Sequence, residues 1–201
     1  SGIIYKGSSY GAAWGDFNND GYPDLWVSNH GFSPSLYQNQ GDGSFINVTL
    51  NVLDQQPKGD FHGAAWVDFD NDGDLDLLQL VGGDSGNSSL SDPKIANKLW
   101  INQNGSFSER AIDLGLGYIG SRSRSPLWFD YDNDGLLDLL QGGAERSDGK
   151  VPATIFRQED KFVDLRASLN FDLSSTQFGI LSDLVGDHQP EIVLLKPREG
   201  I

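Results

Sequence analysis

The chain has no cysteine, so neither a disulfide nor a thiolate-bound metal can staple it, and its redox compartment stays open. No window approaches 18 uninterrupted apolar residues, which excludes a membrane-spanning helix. The first residues, SerGlyIleIleTyrLys, lack the basic flank, apolar core and cleavage site of a secretory signal, so none is expected within the chain. Basic residues are scarce as well: 14 Lys and Arg stand against 29 Asp and Glu, for a net charge of −15. With no basic stripe to neutralise phosphates, nucleic acid is excluded as a partner. There are three histidines, His30, His62 and His188; they show no metal-ligand spacing and read as strand-end or loop residues.

What is present is a globular chain of 201 residues, 37% hydrophobic, long enough to bury a real core. Its acidity is concentrated. Windows 16–24, 68–76 and 130–138 hold 12 of the 29 acidic residues, leaving 17 acids against 14 bases elsewhere. Three bound divalent cations would bring the net charge from −15 to −9.

These windows lie inside an internal repeat. "GAAWGDFNNDGYPDLWV" (11–27), "GAAWVDFDNDGDLDLLQ" (63–79) and "SPLWFDYDNDGLLDLLQ" (125–141) align without gaps, and a worn fourth copy follows in "GILSDLVGDHQPEIVLL" (179–195). The leading aspartates at 16, 68, 130 and 183 give a period near 50, and no unit contains an amphipathic helix, so each reads as a propeller blade rather than a helical repeat. A strand ends at the Asp loop and a second begins as it closes. A third follows ("SLYQNQ", "KLWINQ", "TIFRQ"), and a tight turn, GlyAspGly (41–43) or AsnGly (104–105), leads to a fourth such as "SFINVT". The expected fold is therefore all-β, built of four-stranded antiparallel meanders. Its repeats fall at about 9–60, 61–122, 123–176 and a partial 177–201, within a single unit spanning 1–201. Trp14, Trp66 and Trp128 recur in register and read as blade packing.

In such a meander the Asp loops share one end. Segments 30–35, 81–97, 143–150, 51–61 and 119–125 share the other. Long loops on a rigid scaffold are where recognition resides, although the Gly/Ser-rich insert 81–97 reads equally well as a tolerated insertion.

A hard divalent cation takes six to eight oxygen ligands at about 2.3–2.6 Å, which a short turn supplies only if alternate residues point inward. The pattern Asp-x-Asn/Asp-x-Asp-Gly-x-x-Asp meets that need. In the first loop Asp16, Asn18, Asp20 and Asp24 would give side-chain oxygens and Tyr22 its carbonyl. The same offsets give Asp68, Asp70, Asp72, Asp74 (carbonyl) and Asp76, then Asp130, Asp132, Asp134, Leu136 (carbonyl) and Asp138. All-oxygen ligation at this count points to calcium rather than zinc, copper or magnesium. A helix–loop–helix calcium site would need Glu at position twelve, where this chain has Val27, Gln79 and Gln141. The loops close instead at position nine and run into β-type sequence. The fourth copy keeps Asp183, Asp187 and Glu191 but has Val185 at the third position and His188 in place of Gly. Three calcium sites are expected, with these three residues as a degraded fourth.

The motif "DxNxDGxxD" between two strands resembles the FG-GAP/VCBS repeat of integrin alpha-subunit propellers and many bacterial secreted proteins. The flanking text "AAWGDFNNDGYPDLWVSN…LYQNQGDGSFINVT" is most similar to the cartilage-acidic-protein and ASPIC/UnbV-type group. The resemblance covers about residues 9–200. It implies an extracellular, secreted or cell-surface protein (periplasmic in a bacterium), a calcium-stabilised propeller of about seven blades, and a role in adhesion or as a scaffold. The partners it implies are a protein or glycan on the face opposite the calcium loops, or further blades and domains of the same parent. On that basis the chain reads as three complete blades and half of a fourth; a closed four-bladed ring, with residues 1–5 supplying a strand to the last blade, is the alternative.

A catalytic reading has little to rest on. Gly83-Asp84-Ser85-Gly86 resembles a serine-protease nucleophile segment but is followed by Asn87 and accompanied by no matching histidine segment. Paired carboxylates occur only inside the calcium loops. Because some families with this repeat serve lyases or hydrolases, the propeller domain of a carbohydrate-active enzyme is the alternative function, with Arg122 and Arg124 in "GSRSRSP" its one basic hint. Sequons occur at Asn47, Asn87 and Asn104.

Overall fold

The computed structural model describes residues 2–4, 7–54, 57, 59–82, 91–150, 153–174, 176–187 and 190–196. The Gly83–Gly86 segment, Asn87 and His188 therefore lie outside the described residues. Period-2 patterning and turn residues set three antiparallel meanders. The first is β1 (Gly11–Gly15), β2 (Asp24–Ser28), β3 (Ser35–Asn39) and β4 (Phe45–Asn47). The second is β5 (Phe61–Val67), β6 (Asp76–Val81), β7 (Lys98–Gln103) and β8 (Ser106–Glu109). The third is β9 (Ser123–Phe129), β10 (Asp138–Gly143), β11 (Thr154–Gln158) and β12 (Phe162–Asp164). A hairpin of β13 (Phe178–Ser182) and β14 (Glu191–Leu195) follows. The protein is all-β; one helical turn, α1 (Thr49–Val52), and a 3-10 turn at Pro93–Ile95 are the helical pieces among the described residues.

Registers repeat with the sequence. Trp14 pairs with Leu25, Trp66 with Leu77 and Trp128 with Leu139. The AsnGly turn takes left-handed backbone at both residues, Asn104 at φ 54° and Gly105 at φ 83°, which suits the twist of a two-residue hairpin. One expectation fails at its end: the strand begun by "SFIN" stops at Asn47 instead of running through Thr49. Asn47 Oδ1 accepts from both the Thr49 N–H (3.1 Å) and its hydroxyl (2.7 Å), and Thr49 Oγ1 accepts from the Leu36 N–H (2.8 Å). These local bonds turn the chain into α1.

First strands neighbour one another, β1 against β5, β5 against β9 and β9 against β13. Glycine permits the approach: a Cβ at Gly11 would overlap the His62 carbonyl, and one at Gly63 the Arg124 carbonyl. Second strands are sandwiched between neighbouring sheets, so β6 and β10 are buried along their whole length and read as continuous LeuLeu runs.

The core is accordingly divided among the sheet interfaces. Trp26, Leu36, Leu77, Trp100 and Phe107 fill the first; Leu78, Leu99, Leu139, Phe156 and Phe162 the second; Leu140, Ile155 and Leu173 the third. Trp66 stacks on Phe17 of the preceding loop (6.2 Å) and Trp128 packs on Phe162 in the interface that holds Phe69. Trp14 departs from the expected packing. It is 59% exposed, because no described sheet precedes β1 to supply the equivalent aromatic.

Residues 2–4 form no strand, and Ile4 O accepts from the Tyr37 hydroxyl (2.9 Å) in the first sheet. Among the described residues β14 pairs with β13 alone, so the closing strand of a four-bladed ring is not seen there.

Candidate metal centres

Each Asp loop joins the first and second strands of a meander, and all three adopt one conformation. Position four is left-handed asparagine (Asn19, Asn71 and Asn133, φ 56–60°) and position six left-handed glycine (Gly21, Gly73 and Gly135, φ 87–92°). The leading aspartate folds the turn around its own carboxylate. Asp16 accepts from Asp20 N–H (3.0 Å) and Gly21 N–H (2.7 Å), Asp68 from Asp72 and Gly73 (both 3.1 Å), and Asp130 from Asp134 (3.1 Å) and Gly135 (3.0 Å).

The closing aspartates are fully buried. Asp24 Oδ1 accepts from Asn39 N–H (2.7 Å), Asp76 Oδ1 from Asn102 N–H (2.8 Å) and Asp138 Oδ1 from Gln158 N–H (2.8 Å). Each loop is thus tied to the third strand of its own sheet. The second oxygen turns back to the loop, Asp24 Oδ2 accepting from Phe17 N–H (3.2 Å) and Asp138 Oδ2 from Tyr131 N–H (2.6 Å).

These carboxylates are held under stress. Burial pushes Asp24 up to about 6, with the Asp20 and Asp16 charges adding to the rise and the Asn39 and Phe17 N–H groups opposing it. Burial pushes Asp76 up to about 7, again against the Asn102 N–H and with Asp70 and Asp72 contributing. Asp138 and Asp70 are raised for the same first reason, burial. A dication among these groups would favour the ionised forms that burial and crowding disfavour.

The donor set fits such an ion. Donor atoms of Asp68, Asp70 and Asp72 lie within 4.8 Å of one another, as do those of Asp130, Asp132 and Asp138. Asp76 Oδ2 is buried and has no hydrogen bond of good geometry, with the Phe69 N–H its nearby donor, which leaves it short of the partners a cation would supply. In the first loop Asn18 replaces an acid and donates to Asp20 Oδ2 (2.9 Å). Asp74 uses its side chain elsewhere, accepting from Asn19 Nδ2 (2.9 Å) and Asn104 N–H (2.8 Å), which leaves its carbonyl for the metal role expected of it. Among the described residues of the first three loops, the third has a cation at its rim, Arg157 Nη1 at 4.0 Å from Asp132.

The fourth copy keeps part of the wiring. Asp183 Oδ1 accepts from Asp187 N–H (3.2 Å), and Glu191 Oε2 from Leu184 N–H (2.6 Å), matching the roles of Asp16 and Asp24. Its left-handed Gly186 (φ 78°) stands at position four, where the other three loops carry left-handed asparagine, while position six, His188, lies outside the described residues.

Sequence reasoning missed two features. Asn102 Nδ2 donates to Phe17 O (2.7 Å) and Gln158 Nε2 to Phe69 O (3.1 Å), so the third strand of each later sheet is bonded to the Asp loop of the sheet before it. The amides at matching places in "SLYQN", "KLWIN" and "TIFRQ" were the available signal. The second feature lies at the opposite end, where His30 and His62, 32 positions apart, meet across Asp60. Segments 30–35 and 51–61 belong to that end in the expected meander, but spacing alone does not reveal the meeting.

Residues 16–78 match the FG-GAP-like repeat family, so over that stretch the chain is an FG-GAP-type repeat protein, in line with the meanders and loops around it. Over 132 residues it is 30% identical to Cartilage acidic protein 1 of Xenopus tropicalis, a match taking in 65% of this chain. The chain spans 19% of that relative's length. No helix among the described residues is long and apolar enough to cross a membrane.

Proposed function

We propose that this chain is a sector of a calcium-stabilised β-propeller that serves outside the cell as a scaffold for adhesion or for binding a protein or glycan. Calcium is structural in this reading, and the role is binding rather than catalysis. One observation carries it: the same turn is built three times, each time tying a buried closing aspartate to the third strand, and in the second and third loops it gathers three carboxylates within 4.8 Å of one another.

The ordering of first strands, each against the next, supports radial packing around a common axis. The exposed Trp14 on one side of the array and exposed Phe178 and Ile180 on the other suit neighbouring blades of a larger ring. A relative named for cartilage fits an extracellular setting. Binding of a partner belongs to the end opposite the metal loops, where the inter-sheet segments gather.

Calcium at ten times its dissociation constant stabilises a folded chain by roughly 1.4 kcal/mol per independent site, or about 4 kcal/mol over three. For a chain of this size that corresponds to a melting shift of roughly 8–16 °C. Scanning calorimetry in millimolar calcium and in excess chelator tests the reading. A shift of that order supports it; coincident transitions overturn it.

A further inference from the structure

At the junction of the first and second sheets, on the end away from the Asp loops, His30, Asp60 and His62 form a compact group. His30 follows β2, Asp60 immediately precedes β5, and His62 is on β5. Backbone bonds fix their placement: His30 N–H donates to Ser8 O (2.8 Å), Phe61 N–H to Asn29 O (3.2 Å) and Gly82 N–H to Asp60 O (2.6 Å). Asp60 Oδ1 is in contact with His30 Nδ1 and lies 3.0 Å from His62 Nε2. Donor atoms of all three residues fall within 4.8 Å of one another.

Two properties separate this group from an ordinary surface ion pair. Asp60 Oδ1 and His62 Nε2 are shielded from solvent and neither makes an aligned hydrogen bond, despite their proximity. The His62 side chain is only 7% exposed, so an unsatisfied ring nitrogen is aimed into the cluster. Tyr10 covers both rings, its centroid 4.8 Å from His30 and 5.1 Å from His62. On strand β6's exit, a side chain at Gly82 would overlap Asp60 Oδ2 and His62 Nε2. The His30 side chain is 49% exposed, which leaves an entry path.

We propose that His30, Asp60 and His62 form a binding site for a divalent transition metal of the zinc class, distinct from the carboxylate loops. Two imidazole nitrogens and one carboxylate oxygen suit such an ion and not calcium. A metal about 2.1 Å from each would set tetrahedral donors about 3.4 Å apart, inside the span that already encloses them. Three protein ligands leave one position open toward solvent, which water or a partner's side chain fills. Arg124 is a positive charge that interacts with Asp60. Burial lowers its basicity, while Asp60 and Tyr10 oppose that effect, and its side chain is bonded to the Arg122 and Ser123 carbonyls (3.4 and 2.9 Å) rather than to the cluster.

The test is a titration of the untagged full chain, saturated with calcium, by zinc against a chromophoric chelator, and by cobalt followed through its visible absorption. One zinc per chain is expected, together with the intense cobalt bands of a low-coordinate site. His30→Gln and His62→Gln should each weaken binding at least a hundredfold or so, more than loss of an outer-sphere partner does. Their calcium-dependent melting should stay as in the wild type. His30→Gln, being half-exposed, decides the matter if His62→Gln does not fold. Absence of zinc binding at micromolar concentrations means a structural ion pair only and overturns the proposal. Undiminished stoichiometry in the histidine variants, which would put the ion elsewhere, also overturns it.

Discussion

The two ends of the array are built on the same repeat yet treat it differently. At the loop-bearing end both backbone and chemistry recur: Asp16, Asp68 and Asp130 bond the same turn positions, and Asp24, Asp76 and Asp138 hold the same third-strand amide. At the other end only the backbone recurs. Ser8, Asp60 and Arg122 occupy one register position, and their carbonyls accept from His30, Gly82 and Ala144 at 2.8, 2.6 and 3.1 Å. The side chains there are unrelated, a His–Asp–His group at one junction and the Arg122–Arg124 pair at the next. What holds a blade together must be repeated in every blade, whereas what meets a ligand need occur only once.

That contrast can be broken from either side. The largest effect is expected for Asp76→Ala, which removes an oxygen of the proposed calcium site and the acceptor of the buried Asn102 N–H. It should cost about 3–4 kcal/mol in saturating calcium, read by denaturant unfolding, and abolish one calcium site by calorimetric titration. Next comes Asn102→Ala, which strips the Phe17 and Leu75 carbonyls of a buried donor. A loss of about 1–3 kcal/mol is expected with calcium stoichiometry unchanged; a loss under 0.5 kcal/mol or so would show that the inter-sheet bond is idle. A smaller change is expected for Arg157→Gln, which removes the cation beside the third loop. Third-site calcium affinity should rise about two- to fivefold by calorimetric titration, and less in high salt. Smallest of all is His30→Gln, whose calcium-dependent melting should stay within about 0.5 kcal/mol of wild type. A larger shift there would mean that the two ends are energetically one.

The loops and the meander were legible in the chain because each element was written three times. Gapless alignment located the Asp loops, and the aligned tryptophans located the first strands. Single-copy features were not legible. The end of β4 depended on Asn47 and Thr49 exchanging bonds, a local competition that strand patterning does not register. Trp14 belonged to a pattern of packed tryptophans, yet its exposure depends on which sheet stands beside it. The His30–Asp60–His62 group required knowing that residues from two meanders share a rim, which is tertiary information.

The bonds from Asn102 to Phe17 and from Gln158 to Phe69 run one way, always from a later sheet to an earlier loop. A closed loop is thus the landing platform for the sheet synthesised after it, and the reverse never occurs among these pairs. These two bonds therefore give the array a direction along the chain: under the proposed calcium role, an ion in the first loop would firm the surface on which the second sheet rests, and one in the second loop that on which the third rests.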